Sequence, residues 1–233
     1  MQWSETEKYG CRSWCWQQCC AFFHLIFKRL FQRRQKMLRR NVQGGEEQKP
    51  KIALTFDDGP NIKYTPMLLD GLKERGIKAT FFLIGANTEQ EESKKIVKRM
   101  YEEGHLIGNH TYRHVDLSKI SGREAEKEIK TTDEAIKKIT GHETEFIRPP
   151  FGAMPEGEED PDKIYVKWTV DSLDWVTKDT EKIVEKVTAD TKEGDVILMH
   201  DCYGESVEAA LQIVDIMEKQ GYEFVTADEL IIN

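Results

Sequence analysis

From Lys51 to the C-terminus the chain alternates short apolar runs with longer amphipathic ones, and this alternation limits the fold more than any other feature. Clusters of apolar and β-branched residues predict strands at Ile52–Phe56, Ala79–Ile84, His105–Gly108, Phe146–Arg148, Tyr165–Val170, Val196–Met199 and Glu223–Val225. Helical periodicity between them predicts helices near Thr65–Arg75, Thr88–Glu103, Ser121–Thr140, Thr180–Thr191 and Ser206–Gln220. Gly76, Gly104, Gly141 and Gly221 follow four of these helices, where a C-terminal stop calls for a residue that tolerates positive φ. Strand–helix repeats imply a parallel sheet with helices outside it. About seven strands in roughly 180 residues fit an α/β fold of the distorted (β/α) barrel type, one domain over residues 51–233; an open doubly wound sheet is the alternative. No Gly-rich nucleotide loop follows the first strand, which argues against a dinucleotide-binding fold.

In either architecture ligands gather beyond the C-terminal ends of the strands. Titratable residues stand there repeatedly. Asp57 and Asp58 follow the first strand, His110 and His114 the third, and Arg148 and Phe151 the fourth. Asp171, Asp174 and Trp175 follow the fifth, and His200 and Asp201 the sixth. Each group has a plain structural alternative. Asp-Gly is turn chemistry, and histidines fall four apart by chance on surfaces. The two prolines of "RPPFG" make a stiff loop, and Trp175 or a strand-end His200 can be ordinary core. Cys202 reads as a small buried apolar residue.

The chemical alternative is more specific. Adjacent carboxylates suit a site that needs two for different jobs. In a helical turn, His110 and His114 would place both imidazoles on one side, as a divalent metal requires, and a carboxylate is the natural third ligand. Arg148 would orient a buried carboxylate, and the prolines would aim the Phe151 N–H toward the site. Five such motifs, all at strand ends, make coincidence a poor account.

Residues 1–50 are a different kind of sequence. They carry ten Lys/Arg against four Asp/Glu, whereas residues 51–233 carry 24 against 38. An acidic body is a poor partner for nucleic acid, which is bound through clustered Lys and Arg. Cys11, Cys15, Cys19 and Cys20 precede an aromatic run, Phe22–Phe31, and a basic one, Lys28–Arg40. That order fits contact with a membrane surface through residues 1–40, with acylated cysteines adding an anchor; a leader without a role is the alternative. It does not fit a cleaved secretory signal, whose basic residues precede the apolar run. "NVQGGEEQKP" reads as a linker. The single body cysteine leaves no internal disulfide there.

"TFDDGP", "HTYRH", "RPPFG", "DSLDW" and "LMH" resemble, in order, the five signatures of the polysaccharide deacetylases with a NodB homology domain. The resemblance covers Lys51–Asn233. It implies a distorted β/α barrel forming a single catalytic domain and a divalent metal, zinc by preference, with cobalt, nickel or manganese able to substitute. It implies Asp58, His110 and His114 as metal ligands, Asp57 as general base and Arg148 as the residue holding Asp57. It further implies Phe151 as an oxyanion N–H donor, His200 as general acid paired with Asp174, and Trp175 and Leu198 lining an acetyl pocket. The implied activity is hydrolytic N-deacetylation of N-acetylglucosamine polymers in the cell envelope or outside the cell, with peptidoglycan ahead of chitin. O-deacetylation of acetylated xylan and non-catalytic carbohydrate binding are the other readings. One departure is the short acidic stretch "AMPEGEEDPDKIYVKW", where relatives carry a longer segment; it implies a thinned barrel wall over residues 153–163.

Overall fold

β1 (Lys51–Asp57) is buried on both faces and paired along both edges, so it forms the axis of the sheet. The computed structural model describes residues 49–154 and 162–232. The proposed leader and linker therefore lie outside the described residues except for Lys49 and Pro50, as do residues 155–161 of the acidic stretch.

Among the described residues the other strands are β2 (Thr80–Leu83), β3 (Leu106–Asn109), β4 (Phe146–Ile147), β5 (Ile164–Tyr165), β6 (Val170–Asp171), β7 (Val196–His200) and β8 (Glu223–Val225). All pairings are parallel, in the order β5-β4-β3-β2-β1-β7-β6. β7 takes one edge of β1 along Ala53–Asp57. On the other edge β8 pairs with Lys51–Ala53 and β2 with Thr55–Asp57.

Chain connectivity demands that this sheet curl. Laid flat, six strand spacings would separate β5 from β6 by about 29 Å. The chain passes from Tyr165 to Val170 in steps that reach at most about 18 Å. The sheet is therefore a curled half-barrel, and β5 and β6 approach each other without forming a ladder among the described residues. Here the structure corrects the sequence reading. The single strand expected at Tyr165–Val170 is two strands on opposite edges. The Val166 N–H still donates to the Ile147 carbonyl of β4, at 2.8 Å, while the Thr169 N–H donates to Val196 of β7, at 2.9 Å. The chain changes partner at Lys167–Trp168, and apolar periodicity records burial, not partnership.

The helices fall where periodicity places them: α1 (Tyr64–Arg75), α2 (Glu91–Glu102), α3 (Gly122–Thr140), α5 (Thr180–Asp190) and α6 (Gly204–Lys219), with short α4 (Asp174–Thr177) and α7 (Ala227–Ile231) in addition. Ser121 and Glu124 form a reciprocal capping box that starts α3. Gly76, Gly104, Gly141 and Gly221 all have positive φ, between 68° and 94°, as their stop role requires. No described helix is long and apolar enough to cross a membrane.

Side-chain alternation along the strands creates two cores. Ile52, Leu54 and Phe56 of β1 point outward and meet Leu68, Leu72 and Ile213 of the helices. Ala53 points inward and packs with Phe82, Phe146, Val166 and Val196. Thr55 and Asp57 continue that inner face, so the top of the inner core is polar. Gly108 makes room for it: a Cβ there would lie 2.4 Å from the Phe82 ring. Phe82 has no easy retreat, because the Arg148 guanidinium lies 4.2 Å from its ring centre. Gly108→Ala is expected to cost about 1–3 kcal/mol by overpacking. Urea unfolding checks this; an unchanged midpoint would show that the inner core is looser than described.

Candidate active site

Consecutive side chains on a strand point to opposite faces. Asp57 and Asp58 escape this rule because β1 ends between them. Asp57 keeps the strand conformation and the inner face, in register with His200 on β7. Asp58 adopts φ 71°, in the left-handed region, which turns its carboxylate back toward the same site. Such a conformation costs a non-glycine residue on the order of 1 kcal/mol, and the surroundings must hold it. Asn87 does so from the β2 side, donating Nδ2–H to the Asp58 carbonyl at 2.9 Å.

The two carboxylates then diverge in partners. Asp57 Oδ1 accepts from Arg148 Nη1 at 2.8 Å, and the same nitrogen donates to Thr55 Oγ1 at 2.7 Å. Arg148 has no solvent exposure. Asp58 Oδ1 lies 3.4 Å from His110 Nε2 and 3.3 Å from His114 Nε2. His110 Nδ1 sits 2.6 Å from the Arg148 carbonyl. A carbonyl can only accept, so Nδ1 carries the proton, and in the neutral ring Nε2 is left as the nitrogen able to ligate a cation.

Residues 110–114 are not the helical turn that their spacing suggested. They form a loop in which Thr111 has φ 65° and His114 φ 55°. The imidazoles share a side because side chains from other elements pin this loop, not because of helix periodicity. Asn109 Oδ1 accepts from the Thr111 N–H at 2.8 Å, and Glu128 on α3 accepts from the N–H groups of Tyr112 and Arg113.

The donor set of Asp58, His110 and His114 fits a divalent cation. Three ligand atoms lie within 4.8 Å of one another. Asp58 Oδ1 is buried and has no hydrogen-bond partner, which is costly for an anionic oxygen without a cation. Burial would raise the Asp58 pKa, but the three imidazoles around it, His110 first, outweigh it and hold it below the usual range. Burial lowers the His114 pKa, favouring the neutral ring that a metal requires.

Across the site, His200 Nδ1 meets Asp174 Oδ1 at 2.8 Å, and the His200 backbone N–H donates to Asp174 Oδ2 at 2.8 Å. Asp174 is fully buried, and its Oδ1 also accepts from the Trp175 N–H at 2.9 Å. Burial pulls His200 down, but the Asp174 hydrogen bond and charge overcome it and push its pKa to about 9. Its Nε2 lies 4.0 Å from Asp58 Oδ2.

Three expected residues are more peripheral. Phe151, 67% exposed and at φ 60°, sets its ring edgewise on His114 at 4.7 Å. Trp175 stands 52% exposed at the rim. Leu198 is buried one inward position before His200 on β7, in register with Thr55.

Sequence reading assigned no role to several residues that shape the site. Thr55 and Asn87 are two. Asp201 is another: fully buried, it accepts from Thr65 Oγ1 at 2.5 Å, and burial raises its pKa to about 7. A Cβ on Gly59 would lie 2.7 Å from its carboxylate, so the glycine after the aspartate pair is the available clue. A 260 Å³ cavity beside Asp58 is lined by Asn61, Ile62, Asn87, Gln90 and Cys202. A larger one, 460 Å³, lies between β6 and α5 and includes none of the metal-donor residues.

The fold and this site define a half-barrel protein with a metal-hydrolase arrangement at the C-terminal ends of its strands. The polysaccharide deacetylase family model matches residues 44–160. A peptidoglycan-N-acetylglucosamine deacetylase of Bacillus cereus is 40% identical over 190 residues, covering 78% of this chain and 68% of its own length. The peptidoglycan-N-acetylglucosamine deacetylase PgdA of Listeria monocytogenes is 39% identical over 181 residues, covering 77% of this chain but only 38% of its own length. The structure of peptidoglycan deacetylase PdaC from Bacillus subtilis superposes with a TM-score of 0.75 at 36% identity, over 80% of this chain and 92% of that one. The chain belongs to the polysaccharide deacetylase family.

The His200–Asp174 pair makes a pH-dependent prediction. A histidine raised in the folded state stabilises the fold fully below its unfolded pKa of about 6.5, and that contribution is lost as pH rises through the folded value. In metal-free protein, His200 is expected to titrate near 9 by NMR and to fall toward or below about 6.5 in Asp174→Asn. The variant's folding stability should decline less between those two pH values than that of wild type. A His200 titration unmoved by the substitution would contradict the pairing.

Proposed function

We propose that this chain is a metal-dependent hydrolase that removes N-acetyl groups from N-acetylglucosamine-containing peptidoglycan, releasing acetate and leaving a free amino sugar. One observation carries the reading. Asp58, His110 and His114 bring three donor atoms within 4.8 Å of one another, while the adjacent Asp57 reaches the same site with Oδ2 and has its Oδ1 engaged by Arg148. The names of the relatives support peptidoglycan as the polymer. Peptidoglycan as substrate places the work at the cell envelope or outside the cell.

A divalent cation held by Asp58, His110 and His114 would polarise the acetyl carbonyl and acidify the attacking water. Zinc suits two imidazoles and a carboxylate, with open positions left for water and substrate. Asp57 would accept a proton from the attacking water as general base, and its Oδ2 lies 3.7 Å from His110 Nε2. Arg148 holds and aims Asp57 through the Nη1–Oδ1 bond. Phe151 contributes its backbone N–H to the developing oxyanion, an interaction typically worth about 3–4 kcal/mol. His200 is protonated at neutral pH because of Asp174, and it donates from Nε2 to the departing amine. Trp175 and Leu198 bound the acetyl group, with Leu198 below and Trp175 at the rim. A purely carbohydrate-binding role would require none of these titratable groups to be in working geometry.

The test is acetate release from N-acetylated peptidoglycan fragments, chitooligosaccharides and acetylated xylan. Release from peptidoglycan fragments is expected to stop on chelation and return with Zn²⁺ or Co²⁺. Asp57→Asn should lower turnover by about 10²–10⁴-fold while the protein still takes up metal. Activity indifferent to both treatments would overturn the mechanism, and release from xylan alone would overturn the substrate.

A further inference from the structure

The loop between the two histidine ligands owes its shape to a side chain that sits on a different element. We infer that Glu128, on the inner face of α3, is the positioning residue that sets the metal loop before the ion arrives. This inference rests on the metal-site reading above.

The carboxylate of Glu128 is almost fully buried. Its Oε2 accepts from two consecutive backbone N–H groups, Tyr112 at 3.0 Å and Arg113 at 2.8 Å. Both residues lie between His110 and His114. Its Oε1 accepts from the Nε and Nη2 of Arg113, at 2.9 and 2.8 Å. An anionic acceptor for successive N–H groups is a charge-assisted clamp, stronger than neutral backbone pairing. Other backbone groups of the loop are tied down around it. The Thr111 and Tyr112 carbonyls accept from the Gly85 and Ala86 N–H groups, each at 3.0 Å. Asn109, just before His110, ties the loop start to α3 by donating to the Ile129 carbonyl at 2.9 Å and to Asp133 Oδ1 at 2.8 Å.

The clamp has something to hold. Thr111 and His114 both occupy the left-handed region, which the isolated peptide disfavours. Without Glu128 the loop would relax toward ordinary φ values, swinging His114 away from Asp58. Two Arg113 contacts invite the reading that the ion pair is the purpose of Glu128. The geometry assigns it the lesser part, because the Arg113 side chain is 67% exposed and an exposed guanidinium contributes little. The buried oxygen on the backbone is the part that water cannot replace.

Co²⁺ titration of the full chain tests this, because visible absorption separates imidazole–carboxylate coordination from thiolate coordination by the N-terminal cysteines. Glu128→Ala is expected to weaken Co²⁺ binding at the imidazole site by about 10–100-fold, the range for a partner that orients a ligand. Glu128→Gln keeps a carbonyl acceptor for the two N–H groups and should stay within about threefold of wild type. Arg113→Ala removes only the exposed ion pair and should also stay near wild type. Should Glu128→Ala not fold, Glu128→Asp serves, since it keeps the charge but withdraws the acceptor; it is expected to bind about tenfold more weakly. Wild-type affinity in the folded Ala or Asp variant would overturn the inference while leaving the metal site standing. Arg113→Ala as weak as Glu128→Ala would also overturn it, by making the ion pair the cause. No imidazole-type spectrum in wild type would overturn the metal site and the inference together.

Discussion

Arg148 holds the inner half of this structure together. Its guanidinium is wholly removed from water, inside a curled sheet, with Phe82 against one face. It reaches from the end of β4 to Thr55 and Asp57 of β1, two strands that are not neighbours. A flat sheet would put those strands about 14 Å apart, so the bond exists only because the sheet closes on itself. The dependence runs both ways. A buried cation without its anion, or the anion without its cation, costs about 3–5 kcal/mol. The backbone of the same residue accepts from His110 and fixes which nitrogen that ring presents. One residue thus anchors Asp57 and fixes which nitrogen His110 offers to the site.

From that constraint the division of labour between Asp57 and Asp58 follows. Two adjacent carboxylates repel, and two strand residues cannot normally share a site. Ending the strand between them and giving Asp58 a left-handed backbone solves the geometry. Giving one a guanidinium and the other a pair of imidazoles solves the electrostatics. His200 completes the arrangement from β7, in register beside Asp57, with Asp174 behind it to keep it charged. Asp57, Asp58, His110, His114 and His200 therefore meet on one rim from the ends of β1, β3 and β7.

Much of this was legible in the sequence. The strand–helix alternation gave the fold class, the glycines marked the helix ends, and the five motifs placed Asp57, Asp58, His110, His114, Arg148, Asp174 and His200 on one rim. What stayed hidden has a common cause. Tyr165–Val170 reads as one strand because burial is periodic on both sides of the point where the chain changes partner. The His110–His114 loop reads as a helical turn because spacing does not encode φ. Glu128, Asn109 and Asn87 act through hydrogen bonds to backbone groups far away in sequence, and such bonds leave no pattern in composition or periodicity. Asp201 stood among the strand-end residues without a role, and its packing shows only in Gly59, where a Cβ would meet its carboxylate.

The central claim is that one cation is gripped by Asp58, His110 and His114 while Asp57 stays free. X-ray absorption at the zinc edge of the full chain carrying one equivalent of Zn²⁺ tests it most directly, with Asp57→Asn and Asp58→Asn measured alongside. The account predicts two imidazole nitrogens at about 2.0–2.1 Å and carboxylate or water oxygen at about 2.0–2.2 Å, unchanged in Asp57→Asn and lost in Asp58→Asn. A shell of sulfur ligands, or a shell that collapses with Asp57 and survives the loss of Asp58, would contradict it.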